Sequence, residues 1–527
     1  MLKQIFKIIL ILVIFIDVLP VQGQYVRREK YRTERQRRQQ YALDDWISYL
    51  QSKKITSVTV GNNYLYFAAL DGGILRYELF QNFWDYPYTT SNGLPSNEVL
   101  DVTFEFSTGY LWAVTDVDTC IFLPAEREWL CKSEASFWPY RFPDKEIPRN
   151  NSKIEYNVFY SSRYLDLLPP FFANGPWTVI EDWKIMDEYF DEYPITGFLR
   201  DNWERIWFII EGLGFGIGNT YSQRMDIVPY GLSRINPRVM QFQKNDLWIG
   251  GIVTDGFGRP GIVNWRDEDV GWYYYQARWI SNLPSDNVLD IVVTGDSVWF
   301  ATDYGLSLYV EKKDQWKNFD QRDGLYSKVI FDLLVHKNVL YVATDKGINT
   351  VDLASGVIYR VKDENITLAT VYQMAAQKDT IWSVTNRGIF RLRLPDVGWE
   401  IVETSAAISD IPAVAVETYG DEIWFSSPEG VFWMDGNSKQ WESFPQLGME
   451  ISGPFFDIEV NDLSVWISTP EGLLKYNRKM HYWKLFSLED GLLNDKCYRL
   501  LLDGDFIWIA NDDGITQFYW NNPARID

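Results

Sequence analysis

Histidine is the side chain that most often moves protons or holds a metal near neutral pH, and this chain of 527 residues has two. His336 falls in the turn Leu334-Val335-His336-Lys337-Asn338, and His481 in a hairpin turn beside Met480. Neither has a companion at metal-ligand spacing, whereas zinc takes three or four N or S ligands. Ser-His-Asp catalysis lacks its base for the same reason. No Gly-x-Ser-x-Gly, phosphate loop or EF-hand pattern occurs either. No catalytic residue, metal or cofactor is therefore expected. Carboxylates are the exception, because two acids brought together across a channel can act as acid and base without any local motif. A carbohydrate-active hydrolase or lyase using channel carboxylates is thus the alternative reading.

Three sets of residues remain as candidates. Asp71, Asp303, Asp345, Glu429, Glu471 and Asp513 each lie in a turn just before a recurring Gly. A polar residue suits such a hairpin on structural grounds alone; emerging on one face, these acids would also form a crown able to receive a cation, a basic peptide or a hydroxyl-rich ligand. Trp138, Tyr140, Phe171, Phe172 and Trp177 are scattered among Pro and Asn in residues 133–200, where aromatic faces either stack on a ligand or pack an insertion. Cys120 and Cys131 flank a turn centred on Ala125-Glu126, so a hairpin there would set them opposite each other as a disulfide. Cys497 is left as a lone core thiol.

The elements that must position these residues are read from a repeat. Aromatic anchors recur at Tyr66, Trp112, Trp207, Trp248, Trp299, Tyr341, Trp382, Trp424, Trp466 and Trp508, spaced by 41 or 42 residues from Trp299 onward. Seven are followed six residues later by Gly, and most by a second aromatic seventeen or eighteen residues on, such as Trp84, Trp316 and Trp483. Each unit divides into four short β-rich runs, and no sustained 3.6-residue apolar period interrupts them. Four strands per roughly 40 to 45 residues, repeated, is the pattern of a propeller blade. The expected fold is all-β, a propeller of about ten four-stranded blades over residues 41–527, or alternatively two smaller propellers. Residues 133–200 hold a divergent blade or an insertion. Asp45 to Leu50 reads as an isolated fourth strand that completes the blade ending near Trp520, closing the ring.

At these residues the sequence resembles the two-component regulator propeller repeats. The turn of that family appears here as Asn92-Gly93-Leu94-Pro95-Ser96-Asn97, as Asn282-Leu283-Pro284-Ser285-Asp286-Asn287, as Asp323-Gly324-Leu325 and as Asp490-Gly491-Leu492. Trp46 to Leu94 is also similar to the opening of the propeller in a surface component of the type IX secretion system. The resemblance implies a periplasmic sensor propeller, often part of a hybrid histidine kinase and able to bind an oligosaccharide. No kinase core or receiver stands in these residues, which leaves a binding or interaction scaffold with an unidentified protein or saccharide as ligand.

Charge and targeting bound the rest. Lys3 and Lys7 precede an apolar run from Ile8 to Ile16 and the small residues Val21 and Gly23, so residues 1–23 read as a signal peptide. Residues 24–40 hold seven Arg or Lys against Glu29 and Glu34 and are expected to be a basic, flexible segment. Because the whole chain still carries −22, the remainder is strongly acidic and should repel nucleic acid. No later window is long and apolar enough to span a membrane. The mature chain is therefore expected in the periplasm, at the cell surface or secreted.

Overall fold

The repeat around Trp299 shows how sequence becomes blade. Val288–Thr294, Ser297–Thr302, Gly305–Val310 and Gln315–Phe319 run antiparallel in that order. Trp299, on the second strand, is 4% exposed, and Trp316 on the fourth packs against Phe300 and Tyr309. Gly305 turns the second strand into the third at φ 139°, where an added Cβ would lie 2.9 Å from the carbonyl oxygen of Phe319. Only glycine is free of strain there.

This is a computed structural model; it describes residues 26–52, 54–143, 154–232, 235–253, 261–266, 271–395, 398–404, 413–428, 430–444 and 447–525. The segment read as a signal peptide and Glu429 lie outside the described residues. The protein is an all-β propeller with ten four-stranded blades. In chain order they occupy residues 55–88, 99–131, 192–229, 235–275, 288–319, 330–360, 371–401, 415–443, 457–486 and 497–519, and are numbered blades 1 to 10. Blade 10 supplies only three strands from the C-terminal end. Its fourth is Trp46–Leu50, paired antiparallel with Gly514–Phe518. Trp46 stacks flat on Phe518 at 3.7 Å, so the terminal strand is fixed by packing as well as by its ladder.

The contacts between blades add an arrangement that the repeat count does not contain. Consecutive inner strands touch from blade 4 through blade 10, and the inner strand of blade 4 also touches that of blade 10. Phe242 of blade 4 meets Trp508 of blade 10, Arg238 pairs with Asp512 at 2.9 Å, and Tyr49 packs on Trp265. Seven blades thus close on one another. Blades 1 to 3 stack beside that ring in the order 3, 1, 2. Val102 N–H of blade 2 donates to Ser57 of blade 1, while Phe67 and Tyr77 on the other side of blade 1 pack on Phe215 and Trp207 of blade 3. One hydrophobic cluster runs from blades 1 and 3 into blades 4 and 10, which holds the stack to the ring.

Two expectations need correction or refinement. Of residues 133–200, expected to hold a divergent blade or an insertion, the described Phe159–Ser161, Thr178–Ile180 and Lys184–Met186 extend the sheet of blade 3, whose inner strand begins at Glu192, and Phe172–Ala173 lies parallel to its outer strand. The basic segment, expected to be flexible, carries a strand and a helix over its described part. Val26–Arg28 adds a parallel strand to blade 9, and Glu34–Gln40 is a helix capped by the Thr33 side chain. The physical reason is that a buried cation anchors the helix while Val26 and Tyr31 pack on neighbouring core clusters. Arg37 is 5% exposed and donates to the carbonyl oxygens of Ser91 at 2.8 Å and Asp490 at 3.1 Å, with Glu34 beside it.

Candidate functional site: an axial carboxylate cluster and an off-axis aromatic cleft

On the ring axis the inner strands present one residue each, at Asp290, Asp332, Gln373, Ala415, Asp457 and Arg499 in blades 5 to 10. In blades 5, 6, 7 and 10 the ladder shifts by a β-bulge immediately before this position. Such bulges re-aim a side chain. Here they let it reach the next blade. Asp290 accepts from Leu333 N–H at 2.8 Å, Asp332 from Met374 N–H at 2.9 Å, Gln373 from Val416 N–H at 3.0 Å and Asp457 from Leu500 N–H at 2.8 Å. The free side of this chain of bonds converges on Arg499, which lies 2.8 Å from Asp290, 3.8 Å from Asp457 and 4.0 Å from Asp332.

The electrostatics follow from burial. Loss of water pushes the carboxyls of Asp290 and Asp457 above their ordinary range although Arg499 opposes this, and it pushes Asp332 well above, with Asp290 adding to the effect. Two residues further along their strands, Glu417 is pushed up to about 7, mainly by burial, and Glu459 further still by burial and by Glu417. Burial works against the charge of Arg499, but Asp457, Asp290 and Asp332 outweigh it and hold the guanidinium above its usual value. This constellation of converging acids is the one an enzyme of the alternative class would need. Asp290, Asp332 and Asp457 are bonded to backbone amides of the neighbouring blade and share Arg499. Sequence reading missed the constellation, although the signal exists: each of the six residues stands nine positions before its blade's aromatic anchor.

The turn acids are likewise tied into the scaffold. Asp303 accepts from Asn287 at 2.9 Å, Asp513 from Asn494 at 2.6 Å and Glu471 from Ser452 N–H at 2.8 Å, each fastening the turn to the loop that enters its own blade. Glu471 also pairs with Arg28 at 3.3 Å. The backbone carbonyl of Asp345 accepts from Thr370. Asp71 belongs to blade 1, outside the ring, and with Asp513 lines a bowl of about 840 Å³ at the N-terminal helix. Cys120 and Cys131 are cross-strand neighbours on blade 2 and are joined as a disulfide, while Cys497 is buried and free. The sulfurs of that disulfide lie close to Asp118.

The aromatic candidates part company. Trp138 and Tyr140 pack edge-on against Trp112, the anchor of blade 2. Phe171 is buried against Phe208, and Phe172 is 60% exposed on the added strand. Trp177 alone of the five enters a cleft of about 570 Å³ where blades 1, 3 and 4 meet. Blade 1 contributes Tyr77, Phe83 and Trp84, the insertion contributes Trp177, Asp187, Glu188, Tyr189, Asp191 and Tyr193, and the outer strand of blade 4 contributes Trp272, Tyr273 and Tyr274, followed by Gln276. Tyr189 stacks on Trp279 at 5.3 Å and Asp191 bridges Arg278 at 3.0 Å, which ties the insertion to the ring and completes the wall. Desolvation lifts the Asp187 carboxyl above its ordinary range even though Asp191 N–H and Tyr189 N–H, each 2.9 Å away, donate to it. Nothing in the sequence beyond Trp177 pointed to this site, because its walls combine blade 1 with the insertion and the outer strand of blade 4.

No protein-family model matches the sequence, and no curated protein matches it. Among solved structures, the chain is similar to the extracellular domain assigned to a hybrid two component system from B. thetaiotaomicron, with 13% identity, a TM-score of 0.44, and coverage of 88% of this chain and 70% of that one. It is also similar to YCF48 bound to D1 peptide, with 14% identity, a TM-score of 0.44, and coverage of 55% and 94%. A third likeness is to the Neurospora crassa Pan2 WD40 domain, with 10% identity, a TM-score of 0.40, and coverage of 54% and 88%. Likeness this distant says nothing about what the present chain binds. Among the described residues no helix is long and apolar enough to cross a membrane.

Proposed function

We propose that the protein is an exported, non-enzymatic binding propeller and that its ligand occupies the cleft between blades 1, 3 and 4. The observation that carries this reading is the cleft itself: a concave, aromatic-walled space of about 570 Å³ held open between the ring and the side stack. Ligand sites are concave and mainly apolar with a few placed polar groups. The axial acids, by contrast, are consumed in holding consecutive blades together. Export rests on the N-terminal segment, and an intact N-terminus on secreted material would refute it; processing at Gln24 is expected.

Binding is tested by following tryptophan fluorescence while neutral oligosaccharides and short peptides are titrated into the full chain. Trp177→Ala and Tyr189→Ala should weaken any response at least tenfold, whereas Asp303→Asn should leave it unchanged. A response that survives both cleft substitutions would move the site elsewhere. The enzymatic alternative is favoured by the raised carboxyls of Glu417 and Glu459. It requires product release from an oligosaccharide that disappears in Glu459→Gln.

A further inference from the structure

We infer that the cleft selects an organic cation, an ammonium or guanidinium group carried on an apolar stem. This rests on the reading of the cleft as the binding site and adds the chemistry of its occupant. Nine aromatic side chains and three carboxylates line it and no Lys or Arg does so among the described residues, although Asp191 is already paired with Arg278 at 3.0 Å and Arg266 covers the Tyr273 ring at 4.0 Å, so the charge preference rests on Asp187 and Glu188. Aromatic faces attract a cation through the ring quadrupole, and the attraction strengthens as water is excluded. Carboxylates at the same mouth add a field of the same preference, on a molecule whose net charge is −22. Glu188 is exposed at the rim, and Asp187 sits deeper. A neutral ligand would gain the stacking but not the charge.

A second observation is independent of these. Gln276 lines the cleft, is 7% exposed, and its Oε1 has no hydrogen-bond partner among the described residues. A buried amide oxygen left unbonded is costly, and it is relieved by an N–H donor, which ammonium and guanidinium groups supply and carry in excess. Buried indole N–H groups without partners occur also at Trp46, Trp129, Trp382 and Trp466, far from the cleft, so the similar state of Trp84 and Trp272 is a property of the blades and does not point to the ligand.

The test uses Nα-acetyl-lysine methylamide and Nα-acetyl-arginine methylamide as cations, Nα-acetyl-norleucine methylamide as the uncharged counterpart, and maltohexaose as a neutral saccharide, each titrated by calorimetry into the full chain. The expected result is binding of the two cations at least tenfold tighter than of the norleucine compound, weakened three- to tenfold by Glu188→Gln and by raising salt, and lost in Trp177→Ala. Equal binding of the norleucine compound overturns the cation and leaves the cleft as the site. Binding of maltohexaose alone, lost in Trp177→Ala, does the same. Cation binding that Trp177→Ala does not change, or no binding of either cation, overturns the inference outright.

Discussion

Arg499 is shared by three aspartates that each also bond the backbone of another blade. Removing one member of such a buried charged group leaves the others uncompensated, which costs about 3 to 5 kcal/mol. Arg499→Met is therefore expected to lower the urea midpoint strongly; a midpoint near that of the parent would show that the aspartates are protonated and need no partner. Glu417 makes a subtler case. Its carboxyl titrates at about 7 in the fold against an ordinary 4.5. Between those values the folded chain keeps a proton that the unfolded chain has released, so this group's contribution to stability falls as pH rises through the interval. Glu417→Gln, which cannot ionise, should then gain on the parent by on the order of 2 kcal/mol at about pH 8 relative to about pH 5. Urea melts at the two pH values measure the difference, and an equal effect at both would remove the buried acid from the account. At this scale the sequence was readable where types repeat, as in the anchors and the turn acids. It was silent where a role depends on what lies across the axis: Asp290 and Asp457 share Arg499 although the first stands 209 and the second 42 residues before it in the chain.

Strands and turns carried the most readable signal. The four short runs expected of each unit are strands around Trp299, and the recurring glycine, here Gly305, takes a positive φ in the turn between the second and third. What failed was the N-terminal segment, where composition suggested a solvated tail. Helix Glu34–Gln40 has no apolar stripe; its docking depends on the hydrogen bonds of Arg37 to two carbonyls in distant turns, a term that hydrophobic periodicity does not register. Arg37→Ala should destabilise by about 1 to 3 kcal/mol, and removal of residues 24–40 should cost more because it also strips Val26–Arg28 from blade 9. Differential scanning fluorimetry reads both. An unchanged melting temperature for the deletion would restore the picture of a free tail. On blade 2, peptides holding Cys120 and Cys131 should run as one species in non-reducing mass spectrometry, since the two residues face each other across the hairpin; alkylation of both thiols in untreated protein would contradict it.

The ring as a whole is closed without a covalent bond: blade 4 packs on blade 10, and Trp46–Leu50 completes the sheet of blade 10 by pairing with Gly514–Phe518. Deleting residues 41–50 should expose that edge and loosen blade 4 from blade 10, lowering the melting temperature and promoting aggregation. A truncated chain that melts with the parent would show that the terminal strand does not hold blade 10 in the ring. The repeat made ten blades and a terminal seam legible, but not that seven blades close while three stand aside, because blade-to-blade neighbours are chosen by surface fit and the 42-residue period is the same for both groups. The seam also has a consequence in time. The strand Trp46–Leu50 leaves the ribosome hundreds of residues before its partner Gly514–Phe518, and between them the chain builds every other blade. At roughly 5 to 20 residues per second, an apolar strand waits on the order of half a minute or longer for its mate. The stack of blades 1 to 3 is synthesised during that delay, and Ser91, between blades 1 and 2, comes to hydrogen-bond Ser48 on the waiting strand. The residues that pack beside the first strand of the ring are thus synthesised long before its pairing partner.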